Sequence, residues 1–177
     1  MAKVPPGPIG FLPAASGSQD YAEYFTDYLK SAFDREVETI PVYRPRDARR
    51  ERNAERVAAC AAVYLGGGVS DQLVDTLADT PVEAALRARL TEGGVVVAIA
   101  AAAQAVGQSF RSLTGGKVRP GLGWVPGAVV ETNFDPAHDR RLRKLLESDG
   151  IAWGLAIPAS SAVLLGPGQE IETVGPS

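Results

Sequence analysis

Histidine, cysteine and methionine are nearly absent from this chain of 177 residues, since each occurs only once. The single cysteine, Cys60, cannot close a disulfide within the chain, which excludes a small secreted fold held together by disulfides. With His138 as the only histidine, no group of histidine, cysteine and carboxylate residues has the spacing of a metal site. We therefore predict neither a metal nor any other cofactor.

The sequence also lacks a long hydrophobic run and an excess of positive charge. The longest apolar run, residues 95–103, has nine residues, which is about half of what a membrane-spanning helix needs. Residues 1–8 show no charged segment followed by an apolar one, so no signal peptide is predicted. Eighteen basic residues against 21 acidic ones give a net charge of −3, which makes nucleic-acid binding an unfavoured function. These absences predict a soluble, cytoplasmic protein that does not contact membranes.

What the chain does contain is 45% hydrophobic residues, arranged in short runs that alternate with helical patterns. The clearest helix is expected after Ser18, a good N-cap residue, with an apolar stripe from Tyr21 to Phe33. Pro45 is expected to prevent an immediate helix, and Asp47 to cap the helix that follows. Strands are predicted at residues 9–15, 37–42, 62–65 and 95–99, with helices at 18–33, 47–59, 70–77, 81–90 and 100–106. Strands that alternate with helices in this way predict a parallel sheet.

The pattern changes after Gly107. Residues 112–126 carry four glycines and two prolines, which predicts a loop. A strand at 128–131 and a helix at 139–148 follow, and short strands at 152–157, 162–165 and 170–174 are expected to form an antiparallel edge or hairpin. We predict one domain over residues 1–177, a three-layer α/β sandwich of the flavodoxin-like kind. Its central sheet is mostly parallel, with antiparallel strands at the C-terminal edge.

Two strand ends could carry chemistry, because ligands bind at the carboxyl ends of parallel strands. At the first, Gly67 and Gly68 could present backbone N–H groups to an oxyanion; a tight turn without a ligand is the alternative. The second is the strand-to-helix junction at residues 97–103, which has the small flanking residues of a nucleophile elbow. Its central residue, Ala100, has only a methyl group. Close packing of a small-residue helix on the sheet explains this junction equally well.

Three ordered segments carry a resemblance to a known family. Residues 65–73 read LGGGVSDQL, residues 121–130 read GLGWVPGAVV, and residues 154–165 read GLAIPASSAVLL. They resemble segments of the serine peptidases that include cyanophycinase and aspartyl dipeptidase (peptidase E). The resemblance covers residues 13–175 and implies the fold of the class I glutamine amidotransferases. The family's first strand has no clear counterpart before Pro8, so the sheet is expected to be one strand short there.

The chain departs from this family at the positions that carry its catalysis. Ala100 stands where the resemblance places the catalytic serine, and Asn133 stands in place of the general base. An alanine methyl group cannot attack a carbonyl, and an asparagine amide does not accept a proton near neutral pH. The remaining departures are Ala98 and Ala102 in place of the elbow glycines, and Pro158 and Ala159 in place of an Asp-Glu pair.

Four other residues are candidate replacements. Ser16 ends the first strand, but no histidine is placed to activate it. Ser109 lies nine residues beyond the elbow, about two and a half helical turns from the strand end. For His138 a solvated or capping role is favoured over catalysis, and for Cys60 a buried structural role. The basic stretches, residues 44–56 and the cluster Arg140, Arg141, Arg143 and Lys144, are predicted to be solvated helix faces, with an anion or nucleic-acid patch as the alternative.

The sequence therefore predicts an inactive homologue of these peptidases. The residues expected to line its vestigial pocket are Gly67, Gly68, Ala100, Asn133 and Ser160, and the expected ligand is a small carboxylate or a peptide end. An active serine hydrolase with a displaced nucleophile and a purely structural interaction protein remain as alternatives. Trp124 and Trp153, in an apparent loop and a short edge strand, predict exposed apolar surface and hence a homodimer.

Overall fold

The computed structural model describes residues 6–168 and 170–175. The chain divides into two compact units, residues 1–102 and residues 103–177, and each is described by itself below. The prediction of a single domain stays a prediction. Residues 1–5, on which part of the expected absence of a signal peptide rests, lie outside the described residues.

The first unit contains a four-stranded parallel sheet in the order β2-β1-β3-β4. Its strands are β1 (Ile9–Leu12), β2 (Val37–Thr39), β3 (Ala62–Leu65) and β4 (Val95–Ala98). Its helices are α1 (Gln19–Phe33), α2 (Pro45–Ala48), α3 (Glu51–Ala59), α4 (Ser70–Leu77) and α5 (Pro81–Thr91), and α6 (Ala101–Ala105) begins at its end. This is the predicted alternation of strands and helices.

The two central strands of this sheet, β1 and β3, supply the core of the first unit. Phe11, Leu12, Val63 and Leu65 are completely buried, as expected for central strands of a parallel sheet, which are covered on both faces. The ring of Phe25 from α1 stacks on Phe11 with a centroid distance of 4.3 Å. The sheet ends that carry the candidate site are therefore held on a rigid core.

Local signals set the helix starts as predicted in two clear cases. The Ser18 side chain accepts a hydrogen bond from the Tyr21 N–H at the start of α1. Pro81 occupies the first turn of α5, where its missing N–H costs nothing, and Thr80 accepts from the Glu83 N–H.

The expectations for Pro45 and Asp47 were wrong. Pro45 begins α2 rather than preventing it, because a proline is tolerated at the first helical position. Asp47 does not cap α3; its carboxylate accepts hydrogen bonds from the N–H groups of Tyr43 and Arg44, and so closes the start of α2. The apolar stripe of α1 is also only partly covered, since Tyr24 and Phe33 are 68% and 59% exposed.

The second unit contains a four-stranded sheet in the order β6-β5-β7-β8 and a separate two-stranded sheet. The elements are β5 (Gly107–Arg111), β6 (Val118–Pro120), β7 (Val125–Thr132), a 3₁₀ helix (Pro136–His138), α7 (Arg140–Leu146), β8 (Trp153–Ile157), β9 (Ala162–Leu165) and β10 (Ile171–Val174). Strands β5, β7 and β8 are parallel, while β6 runs antiparallel to β5 and β10 to β9.

This arrangement confirms the α/β class with mostly parallel strands and an antiparallel C-terminal pair, and it corrects two details. The expected loop at 112–126 contains β6, and β5 precedes it. Strand β8 pairs in parallel with β7 and is not part of the antiparallel hairpin. Within the described ranges, no helix combines the length and the apolar character needed to cross a membrane.

Candidate functional site

The junction between β4 and α6 has the backbone of an elbow. Ala100, one of the two residues between these elements, has φ = 49°, in the left-handed region that residues with a Cβ rarely adopt. Such a conformation costs about 1–2 kcal/mol. The chain therefore keeps a strained turn at the position where the sequence predicts the lost nucleophile, and the side chain there is a methyl group.

Three hydrogen bonds around Ala100 hold this turn in place. The Ile99 N–H donates to the Leu65 carbonyl at 3.1 Å, which extends the pairing of β3 and β4. The Ala102 N–H donates to the Ile99 carbonyl at 3.0 Å, and the Ser70 hydroxyl donates to the Ala101 carbonyl at 2.9 Å. A strained residue persists only where its surroundings fix it on both sides, and these contacts supply that restraint.

The three glycines after β3 have different structural roles. A Cβ on Gly66 would lie 2.6 Å from the ring of Phe11, so packing requires that glycine. Gly68 has φ = 151°, and a Cβ there would collide with the backbone carbonyl of Ala15. A Cβ on Gly67 would meet only ordinary contacts, 3.6 Å from the Ile99 carbonyl oxygen and 3.7 Å from the Ala100 Cβ. Packing within the first unit therefore explains Gly66 and Gly68 but not Gly67.

Gly67 faces the elbow and a tyrosine that sequence reasoning did not place at the site. Its N–H donates a hydrogen bond of 3.4 Å to the Tyr21 hydroxyl. The phenol oxygen of Tyr21 is therefore the acceptor for this N–H in the first unit. In the sequence Tyr21 is one member of an apolar stripe, and nothing local indicates a partner 46 residues away.

Asn133 and Ser160 lie at strand ends of the second unit. Asn133 follows β7 directly with φ = 51°, and Ser160 lies in the turn after β8 with φ = 61°. The two ends are adjacent, because Thr132 pairs with Ile157 and the Phe134 N–H donates to the Ile157 carbonyl at 3.0 Å. Both residues are exposed, as are Pro158 and Ala159.

Strained non-glycine residues coincide with the predicted site to an unusual degree. Five such residues have positive φ in the described chain. Two of them, Asp34 and Asp79, follow the ends of helices α1 and α4, where the left-handed conformation is common. The other three are Ala100, Asn133 and Ser160. Each lies at or just beyond the carboxyl end of a parallel strand, where strain is typical of functional geometry.

The alternative nucleophiles are engaged in structural contacts. The Ser16 hydroxyl donates to the Pro13 carbonyl at 3.2 Å and accepts from the Ser18 N–H at 3.2 Å, which closes a turn. Ser109 lies within β5, opposite Pro120 on one side and Val129 on the other.

His138 and Cys60 lie in environments that fit the roles predicted for them. The exposed His138 Nδ1 lies 2.8 Å from the Asp135 carboxylate, and this hydrogen bond holds the pKa of Asp135 below its usual value. Cys60 is 2% exposed and its Sγ contacts the Arg56 carbonyl oxygen at 3.2 Å. Burial, and secondarily Glu38, raises the pKa of the Cys60 thiol, which disfavours the reactive thiolate.

Residues 121–124, at the start of the segment GLGWVPGAVV, hold neighbouring backbone in place. The N–H groups of Leu122, Gly123 and Trp124 donate to backbone carbonyls of residues 105–107 at 2.7–2.9 Å. A Cβ on Gly121 would collide with the Gly107 carbonyl oxygen. These hydrogen bonds fix the backbone of residues 105–107, where α6 ends and β5 begins.

Among residues 6–168 and 170–175 no group of histidine, cysteine or carboxylate side chains could hold a metal ion.

Comparisons with known proteins agree with these observations. The sequence profile of peptidase family S51 matches residues 7–173. A cyanophycinase from Synechococcus elongatus is 28% identical over 152 residues, which is 79% of this chain and 46% of the relative. Another cyanophycinase, from Geminocystis herdmanii, is 27% identical over 136 residues, or 68% of this chain and 48% of the relative. The chain thus spans just under half the length of these curated relatives.

Solved structures show the same fold. A peptidase from an acI-B1 Actinobacterium superposes with a TM-score of 0.79 at 22% identity, over 96% of this chain and 75% of the other. A candidate peptidase E from Listeria monocytogenes EGD-e superposes with a TM-score of 0.73 at 16% identity, over 100% of this chain and 90% of the other. The predicted glutamine amidotransferase-like α/β fold is confirmed, and the profile match shows that the chain belongs to peptidase family S51.

Proposed function

We propose that this chain is a catalytically inactive member of peptidase family S51 that binds a small carboxylate or a peptide end. The observation that carries the proposal is Ala100, which combines the left-handed elbow backbone with a side chain that cannot act as a nucleophile. In triad enzymes, removing the nucleophile or the base costs about 10⁴–10⁶ in rate. Asn133, in place of the base, adds a second loss.

The proposal of a retained binding site rests on Gly67. Its backbone N–H donates to the Tyr21 hydroxyl, and a Cβ at this position would make only ordinary contacts with Ile99 and Ala100 of the elbow. A carboxylate oxygen is a stronger acceptor than the phenol oxygen of Tyr21, because the carboxylate is charged. A ligand carboxylate that displaces or joins the Tyr21 hydroxyl would therefore gain a charge-assisted hydrogen bond. We extend the proposed pocket to Gly68, Asn133 and Ser160 on the family resemblance.

The test of inactivity is hydrolysis of aspartyl dipeptides and of cyanophycin by the pure protein. We expect no turnover above background. The variant Ala100→Ser is expected to remain inactive, since Asn133 does not activate a serine. Turnover at ordinary enzymatic rates that is lost in Ser16→Ala, Ser109→Ala or His138→Ala would overturn the proposal in favour of a hydrolase with a displaced nucleophile.

The test of binding is a thermal-shift screen of amino acids, dipeptides and nucleotides. A ligand at 100 times its Kd stabilises the protein by about 2.7 kcal/mol. For a carboxylate ligand, Gly67→Val should abolish the shift while the unliganded protein stays folded. A shift for no compound in the set would contradict the binding role and favour a structural interaction protein.

A further inference from the structure

The second unit contains a cleft with an excess of positive charge. Its volume is about 350 Å³, and the cations Arg111, Arg140, Arg141 and Lys144 line it together with Gly116, Val118 and Leu145. The cations come from β5 and α7, which are about 30 residues apart in the sequence. All four cations are exposed. A solvated face of α7 alone does not account for the cluster, because Arg111 on β5 lines the same cleft.

One carboxylate offsets part of this charge. Glu131 is 5% exposed on β7, and its Oε1 lies 3.3 Å from the Arg141 Nε. Both residues also line a smaller cavity of about 100 Å³ that shares Arg111, Arg141 and Leu145 with the cleft. Four cations against one carboxylate leave a net local charge of +3, in a chain whose overall charge is −3.

Of the other cations of the cleft, Arg111 interacts electrostatically with the Glu131 carboxyl, but none forms a close ion pair in the described part of the chain. Within residues 6–168 and 170–175, no ion pair involves Arg111, Arg140 or Lys144. By contrast, Arg143 of the same helix pairs with Asp139 at 2.6 Å and does not line the cleft. Like charges that converge without partners repel one another, and a bound anion removes that repulsion.

We propose that this cleft binds a compact anion with three or more negative charges, of the phosphate or polycarboxylate kind. Guanidinium groups bind such oxyanions in bidentate fashion, and a lysine adds a point charge. The volume of the cleft lies at the lower end of the range for small-molecule sites. Its lining residues include no aromatic side chain on which a base could stack, which favours a compact anion over single-stranded nucleic acid. This inference is independent of the function proposed above.

The test is isothermal titration of the full chain with pyrophosphate, citrate and acetate at about 0.1 M salt, where surface charges are largely screened. We expect binding of pyrophosphate or citrate and none of acetate. Tighter binding of pyrophosphate identifies a phosphate site, and tighter binding of citrate identifies a polycarboxylate site. Absence of binding for both multivalent anions would overturn the proposal.

Variants test whether the cleft itself is responsible. Arg111→Gln and Lys144→Gln should each weaken binding by about tenfold, as the loss of one charge-assisted contact predicts. Glu131→Gln should strengthen it, because the variant removes the opposing carboxylate. The matched control, Arg143→Gln on the same helix, should change Kd less than twofold. Thermal melting of each variant establishes that it is folded. Arg111 and Lys144 lie on different elements, so if one variant does not fold, the other still tests the cleft.

Two outcomes would contradict the proposal even if binding is observed. An equal loss in Arg143→Gln and Arg111→Gln would show diffuse attraction to a basic surface. Tighter binding of single-stranded RNA than of either compact anion would show a nucleic-acid site.

Discussion

The backbone N–H of Gly67 donates a hydrogen bond to the Tyr21 hydroxyl, with 3.4 Å between nitrogen and oxygen. This contact joins the strand end after β3 to the first turn of α1, and it lies beside the methyl group of Ala100. The Gly67 N–H therefore has an acceptor within the chain itself.

Removal of the tyrosine hydroxyl should expose the Gly67 donor. In Tyr21→Phe the ring keeps its edge-to-face contact with Phe11, at 5.5 Å between centroids, and only the hydrogen bond is lost. We expect a loss in unfolding free energy of about 1 kcal/mol or less, measured by urea denaturation. A ligand carboxylate found in the screen should bind Tyr21→Phe at least as tightly as the parent protein. Weaker binding would show that the hydroxyl contacts the ligand.

Gly67→Ala and Gly68→Ala should differ sharply in how much each lowers the free energy of unfolding. Gly67→Ala places its Cβ at 3.6–3.7 Å from Ile99 and Ala100, so we expect a change in stability below about 0.5 kcal/mol. Gly68→Ala combines a left-handed φ with a collision against Ala15, and should cost more than about 2 kcal/mol. Urea unfolding of both variants is the measurement. Equal losses would contradict the view that only Gly68 is required by packing.

The strain at Ala100 should be measurable. Ala100→Gly removes the Cβ that disfavours φ = 49°, which gains about 1–2 kcal/mol; the greater freedom of glycine in the unfolded chain takes back about 0.5–1 kcal/mol. We expect a net increase in unfolding free energy of up to about 1 kcal/mol. The control is Ala103→Gly within α6, where the same substitution should destabilise by about 1 kcal/mol. A loss at both positions would contradict the strained elbow.

Glu131 should make stability depend on pH. Burial raises the pKa of this carboxyl, and Arg141 and Arg111 lower it in part. Because the folded state holds the proton more tightly than the unfolded state, ionisation of Glu131 opposes folding. Its contribution to stability is present below the ordinary glutamate pKa and decreases as pH rises through the raised value. Glu131→Gln should therefore flatten the decrease in unfolding free energy with pH in this window. An unchanged pH profile would contradict the raised pKa.

Self-association stays a prediction, but the exposed apolar surface that could support it is formed by other residues than the sequence predicted. Trp124 and Trp153, on which the expectation was based, are both half-buried. Large apolar side chains are exposed on several other elements, among them Tyr24 and Phe33 on α1 and Ile171 and Val174 on β10.

Sedimentation at micromolar concentration should show a species of about twice the chain mass of 18.6 kDa. The dimer should dissociate in either Tyr24→Lys or Ile171→Lys, according to which surface it uses. A single species of 18.6 kDa would contradict the dimer.

Local sequence determined several helix and strand bounds and the residue types at the predicted site. Ser18 and Pro81 mark helix starts because caps and first-turn prolines act within four residues. The apolar run at 62–65 became a strand with those same bounds. Ala100 and Asn133 could be recognised as departures by counting along the chain. The strands β5 and β6 were missed because their glycine-rich surroundings resemble a loop, and only pairing with β7 and with each other stabilises them.

Tertiary structure decided which of these residues meet and which are strained. The contact of Gly67 with Tyr21, the burial of Glu131 beside Arg141 and the convergence of Arg111 with α7 join residues 10 to 46 positions apart. No local periodicity encodes such contacts, because they follow from strand order and register. The left-handed backbone of Ala100 has the same origin: alanine disfavours it, and the hydrogen bonds from Ile99, Ala102 and Ser70 impose it.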